Sequence, residues 1–134
     1  MDKPQTTEDR KINPLETTLY FNTRDELVKV RLDKVSYFEA DSNYCHVHFV
    51  NGAKATMLTS LVGIENLIKS QISVPAAHPF IRIGKKYIVN QKYIFQINIP
   101  RQRIVLTDFE SPVIHEIAVS KEALKKLKQL YRKS

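Results

Sequence analysis

Glycine and cysteine are scarce in this chain of 134 residues. The three glycines, Gly52, Gly63 and Gly84, cannot be assembled into a dinucleotide-binding fingerprint or a phosphate-cradling P-loop. The single cysteine, Cys45, has no partner for an internal disulfide, and no spacing of cysteines and histidines resembles a structural zinc site. We therefore expect a protein of a reducing compartment that carries no cofactor, and nucleotide-dependent enzymes of those kinds are excluded.

Long apolar runs are also missing. No stretch approaches the roughly 18 apolar residues that a membrane-spanning helix needs. The first twenty residues are polar and lack the apolar stretch of a secretion signal. These absences predict a soluble, cytoplasmic protein with no membrane partner.

Positive charge is present in excess and is concentrated in one part of the chain. The 21 lysines and arginines exceed the 14 acidic residues by seven. Residues 82–134 hold twelve basic and four acidic side chains, a surplus of +8, while the rest of the chain sums to −1. Such a surplus attracts polyanions, either nucleic acid or an anionic membrane. Charge alone does not distinguish the two.

The pattern of apolar residues predicts one mainly β domain. Residues 1–17 are polar, contain two prolines and read as a tail or linker ahead of a domain over 18–134. Short segments in which β-branched and aromatic residues alternate with polar ones predict strands. These segments are 19–21, 27–32, 35–39, 44–50, 53–58, 80–83, 87–89, 93–98, 103–107 and 113–119. Helical spacing predicts two short helices, at 60–69 with Ser60 as its N-terminal cap and at 120–132. The apolar face of the second carries Leu124, Leu127, Leu130 and Tyr131.

The clearest hairpin runs through residues 44–58, with Asn51-Gly52 as its turn. Cys45 lies on the strand face shared with Val47 and Phe49, so we interpret it as a small buried hydrophobic residue rather than a nucleophile.

His46 and His48 share the opposite face of that strand, together with Tyr44. A metal site would need a third ligand from His78, His115 or a carboxylate, and nothing in the spacing indicates one. We therefore predict a hydrogen-bonded or solvent-facing histidine pair and no metal.

Basic side chains gather where turns and a helix start are predicted. Arg82, Lys85 and Lys86 lie around the turn between the strand segments FIRI and YIVN, and Lys121, Lys125 and Lys126 open the last helix. The polar residues at 41–43 form a further loop before Tyr44. Loops on a rigid β scaffold are where DNA-binding proteins place phosphate-binding and base-reading groups. A solvated face is the alternative interpretation of the lysine-rich helix.

Three stretches, in this order and spacing, resemble the LytTR family of bacterial DNA-binding domains over residues 27–132. The first is VSYFEADSNYCHVHFVNG (35–52), similar to the family's strand, Glu-containing turn and hairpin. The second combines SLVGIENLI (60–68) with FIRIGKKYIVN (80–90), similar to the family's helix and its "F.RiHrsylVN" core. The third is HEIAVSKEALKKL (115–127), similar to the "ipvsr..l..l" ending.

The resemblance implies an elongated arrangement of small antiparallel sheets with two short helices, whose loops enter successive major grooves of double-stranded DNA. Family members act as transcription regulators. By position, the base-reading side chains would be those of Ser42, Asn43, Tyr44, Lys85 and Lys121. The phosphate contacts would come from Arg82, Lys86, Ser120, Lys125, Arg101 and Arg103. Asn90 belongs to the same motif, but we expect it to shape the following turn.

The chain departs from the family pattern at two positions of the 84–86 turn. Gly84 stands where the family often has histidine, and Lys86 where it often has a small hydroxyl residue, so the base preference of this turn should differ.

Many family members also carry a receiver domain, which the polar segment ahead of residue 18 is too short to form. The chain is then either the effector part of a response regulator or a stand-alone regulator. We expect tandem half-sites on the DNA and a homodimer bound to them.

Three other classes of function compete with DNA binding. The first is a protein-interaction or dimerisation module whose basic face meets an acidic partner. The second is an RNA-binding domain that stacks unpaired bases on Tyr44, Tyr87 or Tyr93. The third, an enzyme, has the least support because no nucleophile, base and oxyanion donor can be named together.

Overall fold

The computed structural model describes residues 17–72 and 79–131 of the chain. Within these residues the strands form three antiparallel sheets, and two helices pack against them. The strands are β1 (Thr18–Asn22), β2 (Leu27–Arg31), β3 (Val35–Asp41), β4 (Tyr44–Phe49), β5 (Lys54–Met57), β6 (Phe80–Ile83), β7 (Tyr87–Asn90), β8 (Ile94–Asn98), β9 (Arg103–Leu106) and β10 (His115–Ala118). The helices are α1 (Leu61–Gln71) and α2 (Lys121–Gln129). The predicted mainly β class with two short helices is confirmed.

A five-stranded sheet in the order β5-β4-β3-β7-β6 lies at the centre of the fold. The hairpin β1-β2 and the three-stranded sheet β10-β9-β8 flank it. Two short 3₁₀ turns, Leu32–Lys34 and Gln91–Tyr93, link the central sheet to these neighbours. The sequence therefore folds largely through contacts between successive strands.

The central sheet has an apolar core on each face because successive side chains of a strand point to opposite sides. On β3, Phe38 is fully buried in a core shared with α1 and the β1-β2 hairpin. Its neighbour Tyr37 faces a second core, which β9, β10 and α2 complete. Burial of a side chain such as Phe38 stabilises the fold by about 1.5–3 kcal/mol.

Serine caps start both helices, as the sequence predicts for Ser60. Ser60 Oγ accepts a hydrogen bond from Gly63 N at 3.0 Å, and Ser120 Oγ accepts one from Ala123 N at 3.2 Å. Each cap satisfies one of the N–H groups that the first helical turn leaves unpaired.

The predicted apolar face of the last helix is too long. Leu124 and Leu127 are buried, but α2 ends at Gln129, and Leu130 and Tyr131 are 60% and 43% exposed. The backbone N–H groups of Leu130 and Tyr131 bond to carbonyls only three residues earlier, which tightens the chain and turns both side chains out of the helical stripe. The predicted end at residue 132, and almost all of the predicted tail at 1–17, lie outside the described residues.

Two predictions about individual side chains are confirmed. Cys45 is fully buried, and burial raises the pKa of its thiol to about 11, so it packs as an apolar residue. Asn90 is also fully buried; its Nδ2 donates to the Val35 carbonyl and its Oδ1 accepts from Lys92 N, both at 2.9 Å. Asn90 therefore ties β7 to the start of β3 and shapes the turn that follows.

Candidate nucleic-acid interface

Two tight turns lie side by side at one end of the central sheet. The β3–β4 turn consists of Ser42 and Asn43, and Ser42 adopts a left-handed conformation with φ of 54°. Residues 84–86 form the β6–β7 turn. Because β3 and β7 are neighbours, these turns meet: Ala40 N donates to the Lys86 carbonyl at 2.8 Å. We call residues 42–44 and 84–86 the turn end.

The predicted base-reading side chains at the turn end are exposed to solvent. Ser42, Asn43 and Lys85 are exposed, and Tyr44 retains 47% of its accessible surface. Within the described parts of the chain, Lys85 has no carboxylate within ion-pair distance, whereas Lys86 Nζ lies 3.8 Å from Glu39. Lys85 is thus the cation at this end that is free to meet an anion.

Arg82 lies on β6, within the predicted strand segment 80–83 and just before the β6–β7 turn. Its Nη1 lies 3.1 Å from Glu65 on α1. Both side chains are about one-third exposed. An ion pair of this kind is worth little in water and can exchange its carboxylate for a phosphate.

A second group of cations surrounds the start of α2. Val119 N donates to the Gln102 carbonyl at 3.1 Å, so Lys121 lies near the β8–β9 turn that carries Arg101. Lys125 lies one helical turn further along on the exposed face of α2. Of these three cations none forms an ion pair inside 17–72 or 79–131.

The two remaining phosphate candidates in this group already make local hydrogen bonds. Arg103 Nη1 donates to the Gln102 carbonyl at 3.2 Å, which leaves its other guanidinium N–H groups available. Ser120 Oγ accepts the helix-capping bond, so only its hydroxyl hydrogen remains for a phosphate.

The two groups of candidate contacts lie at the ends of strands whose opposite ends meet at one cleft. The β4–β5 turn and Asp108, just after β9, line one cleft. From that cleft β4 leads back to the turn end, and β9 leads back to Arg101. Strand β10 also runs from the cleft towards the candidate contacts. Val113, just before β10, lies against Gly52 of the β4–β5 turn, and β10 is followed by Lys121. All the candidate DNA contacts except Arg82 and Lys125 are therefore close to the strand ends remote from the cleft.

The histidine pair on β4 is hydrogen-bonded, as predicted. His46 contacts Asp41 Oδ2 at 2.8 Å and Thr56 Oγ1 at 2.7 Å. His48 contacts Glu39 Oε1 at 2.9 Å and stacks on Tyr37 with a centroid distance of 4.3 Å. These contacts hold Asp41, and hence the start of the β3–β4 turn, in place.

The partners of these histidines follow from strand register rather than from any motif. Asp41 pairs with Tyr44 and Glu39 with His46 across the hairpin, which brings carboxylates and imidazoles onto the same face. No group of metal-ligating side chains occurs in the described residues. His78, the alternative third ligand, lies outside them.

His48 and His115 add little to the positive potential near this surface. Burial lowers the pKa of His48 below its usual value, and burial together with nearby His48 lowers the pKa of His115. The two rings lie 5.9 Å apart, with His115 Nδ1 3.2 Å from Ser36 Oγ. Both imidazoles are therefore neutral at neutral pH.

The prediction that Tyr93 is an exposed stacking ring is wrong. Tyr93 is buried, and its hydroxyl donates to the backbone carbonyl of Asp33. Tyr87 is half-buried with its ring edge-on to Tyr37 at 5.8 Å. Of the three tyrosines proposed as stacking platforms only Tyr44 is exposed, which weakens the case for binding of single-stranded RNA.

Comparison with known proteins identifies the class to which this arrangement belongs. A sequence profile described as the LytTr DNA-binding domain matches residues 25–132. The chain belongs to the LytTR family of DNA-binding domains. No curated protein matches it significantly.

A solved structure shows the same fold. It is a LytTr DNA-binding domain described as part of a methyl-accepting/DNA response regulator from Bacillus cereus. The two chains are 24% identical, with a TM-score of 0.59, and the match covers 86% of this chain and 96% of the other. In addition, no helix among the described residues is long and apolar enough to cross a membrane.

Proposed function

We propose that residues 18–134 form a sequence-specific double-stranded DNA-binding domain of a cytoplasmic transcription regulator, without catalytic activity of its own. The observation that carries this proposal is the junction of two exposed turns. One turn carries Ser42 and Asn43, and the other carries Lys85, which has no ion-pair partner within residues 17–72 and 79–131. A hydroxyl, an amide and an ammonium group on a rigid sheet can donate to and accept from base edges.

The two groups of contacts would divide the work of recognition. Ser42, Asn43, Tyr44, Lys85 and Lys121 would reach base edges in successive major grooves. Arg82, Lys86, Arg101, Arg103, Ser120 and Lys125 would bind phosphates and fix the position of the domain on the duplex. We further propose that two copies occupy tandem half-sites.

Salt dependence follows from the number of phosphate contacts. Five of the phosphate candidates are cations, and two of these, Arg82 and Lys86, already have carboxylate partners. Three to five neutralised phosphates predict a slope of about −3 to −5 for log K against log salt.

The test is a selection of bound duplexes from a randomised DNA pool at near-physiological salt, with single-stranded RNA as a competitor. We expect an enriched motif that survives the competitor and that loses definition in Lys85→Ala. Binding without any enriched motif would contradict sequence-specific recognition, and displacement of the duplexes by the RNA would favour an RNA-binding domain.

A further inference from the structure

The end of the central sheet opposite the turn end carries a basic cleft with an apolar floor. The cleft has a volume of about 490 Å³. It is lined by Lys29, Arg31, Lys34, Phe49, Val50, Asn51, Ala53 and Asp108. We call these eight residues the basic cleft. They come from three parts of the fold, the β1-β2 hairpin with its 3₁₀ turn, the β4–β5 turn and the loop after β9.

Two of the three cations in the basic cleft, Lys29 and Lys34, form no close ion pair within residues 17–72 and 79–131, although Lys34 interacts electrostatically with Asp33 and Asp108. Arg31 forms a two-point ion pair with Asp33, at 3.0 and 2.7 Å. Lys29 and Lys34 are both exposed, and neither has a carboxylate within ion-pair distance in the described parts of the chain. Beside them the partly exposed Phe49 offers apolar surface, and Val50, which is only 6% exposed, closes the floor of the cleft. A ligand that fits this cleft presents carboxylates around an apolar group.

The loop over residues 107–112, which borders the cleft through Asp108, has this chemistry. Its tip is Phe109, which is 74% exposed and makes an edge-on contact with the exposed Phe95 at 5.3 Å. The carboxylates of Asp108 and Glu110 flank the ring on either side in the sequence. Glu110 is exposed and has no cationic partner among residues 17–72 and 79–131.

Phe109 is held outward by a strained but well-bonded backbone. It adopts a left-handed conformation with φ of 62°, which is unfavourable for a bulky side chain. Thr107 Oγ1 accepts from Phe109 N, and Asp108 Oδ1 accepts from the N–H groups of Glu110 and Ser111, each at 3.0 Å. Strain that a hydrogen-bond network maintains around an exposed aromatic ring is typical of a binding element.

We propose that the basic cleft and the 107–112 loop form a reciprocal dimer interface between two copies of this chain. Phe109 of each copy packs on the Phe49 and Val50 floor of the other, and Glu110 meets Lys29 and Lys34. Because loop and cleft adjoin on one surface and share Asp108, a twofold axis can satisfy both contacts at once.

The basic cleft stays positively charged in spite of Asp108, because three of its lining residues are cations and one is an anion. Hydrogen bonds from Ser111 N and Glu110 N lower the pKa of Asp108, and nearby Lys34 acts in the same direction. The interface also lies at the opposite end of β4 from Ser42 and Asn43. The DNA-facing turns of both copies remain uncovered. A twofold dimer differs from the head-to-tail pair that tandem half-sites require, so the proposal concerns the protein without DNA and does not depend on DNA binding.

The test is sedimentation equilibrium of the protein without DNA, over micromolar to millimolar concentrations. We expect a concentration-dependent monomer–dimer equilibrium. Phe109→Ala should weaken the dimer by roughly 30-fold, as truncation of a central aromatic anchor does. Leu130→Ala is the matched control, because Leu130 is comparably exposed but remote in sequence from this surface.

Charge exchange tests the pairing directly. Lys34→Glu and Glu110→Lys should each lose self-association, and an equimolar mixture of the two variants should regain it. Glu122→Lys, an exposed substitution on α2, is the control for net charge. A protein that stays monomeric throughout, or a dimer indifferent to Phe109→Ala and to both charge changes, would overturn the proposal. Thermal unfolding of each variant verifies that it is folded.

Discussion

The two ends of the five-stranded sheet use polar side chains in opposite ways. Where β7 meets the start of β3, Asn90 is buried and both ends of its amide are hydrogen-bonded. At the turn end, Ser42, Asn43 and Lys85 are exposed and free for a partner. Strand β4, six residues long, separates the ends by about 20 Å at about 3.3 Å per residue. The polar group of Asn90 therefore serves cohesion of the fold, while those of the turn end are available for binding.

The largest effect is expected from removing the buried amide at Asn90. In Asn90→Ala, the Val35 carbonyl and the Lys92 N–H lose their partner, and unsatisfied buried groups cost about 1–3 kcal/mol each. We expect the free energy of unfolding to fall by about 2–4 kcal/mol in urea titrations. Wild-type stability in this variant would show that water replaces the amide and that the comparison between the two ends is wrong.

The second largest effect is expected from removing Lys85 at the turn end, and it concerns DNA binding. Lys85→Ala should cost about 1–3 kcal/mol on the selected site while binding of random DNA changes little. Lys29→Ala removes the same charge from the opposite end and should leave both affinities close to wild type. Fluorescence anisotropy with the two duplexes measures this. Equal losses on both duplexes for Lys85→Ala would reject a base-reading role.

A smaller effect is expected from Ser42→Gly, which should change stability and DNA binding in opposite directions. The left-handed conformation of Ser42 destabilises the fold by about 1–2 kcal/mol. Glycine avoids this strain but loses more backbone entropy on folding, which costs roughly 0.5–1 kcal/mol. Ser42→Gly should therefore raise the free energy of unfolding by about 0.5–1 kcal/mol. The same variant loses the hydroxyl and should bind the selected duplex more weakly. If its affinity for that duplex is unchanged, Ser42 does not contact the bases.

The smallest effect is a dependence of stability on pH. His48 and His115 have lowered pKa values in the fold, whereas unfolded histidines titrate at about 6.5. As the pH falls below that value the unfolded chain takes up protons first, so the free energy of unfolding decreases until the pH passes the lowered values. Urea titrations at a series of pH values should show a shallower decrease in His115→Gln. An unchanged slope in that variant would mean that His115 contributes nothing to it.

The positions of the strands and of both helices along the chain could be predicted because local patterns determine them. Alternation of apolar and polar residues marked β3 and β4, and Ser60 marked the start of α1. Whether Tyr93 is buried could not be predicted in this way, because its position depends on Asp33, sixty residues earlier in the chain. The predicted apolar face of the last helix, which included Leu130, was wrong for a different reason: the tightening of the final turn leaves no trace in the apolar spacing.

The candidate interface was partly accessible from the sequence. Resemblance to the LytTR family singled out Ser42, Lys85 and Lys121. The contact between the two turns could not be predicted because it depends on the order of the strands in the sheet. The ion pair between Arg82 and Glu65 on α1 depends on a contact between distant segments of the chain. The basic cleft has no motif at all, because its three walls come from separate parts of the chain.

Amide chemical-shift mapping by NMR on addition of the selected duplex tests the central claim most directly. We expect the largest shifts on residues 42–44, 84–86, 101–103 and 120–121. Lys29, Lys34 and Asn51, in the basic cleft, should remain close to their free positions. Large shifts centred on the basic cleft, with the two turns unaffected, would contradict the assignment of the turn end as the DNA-binding face.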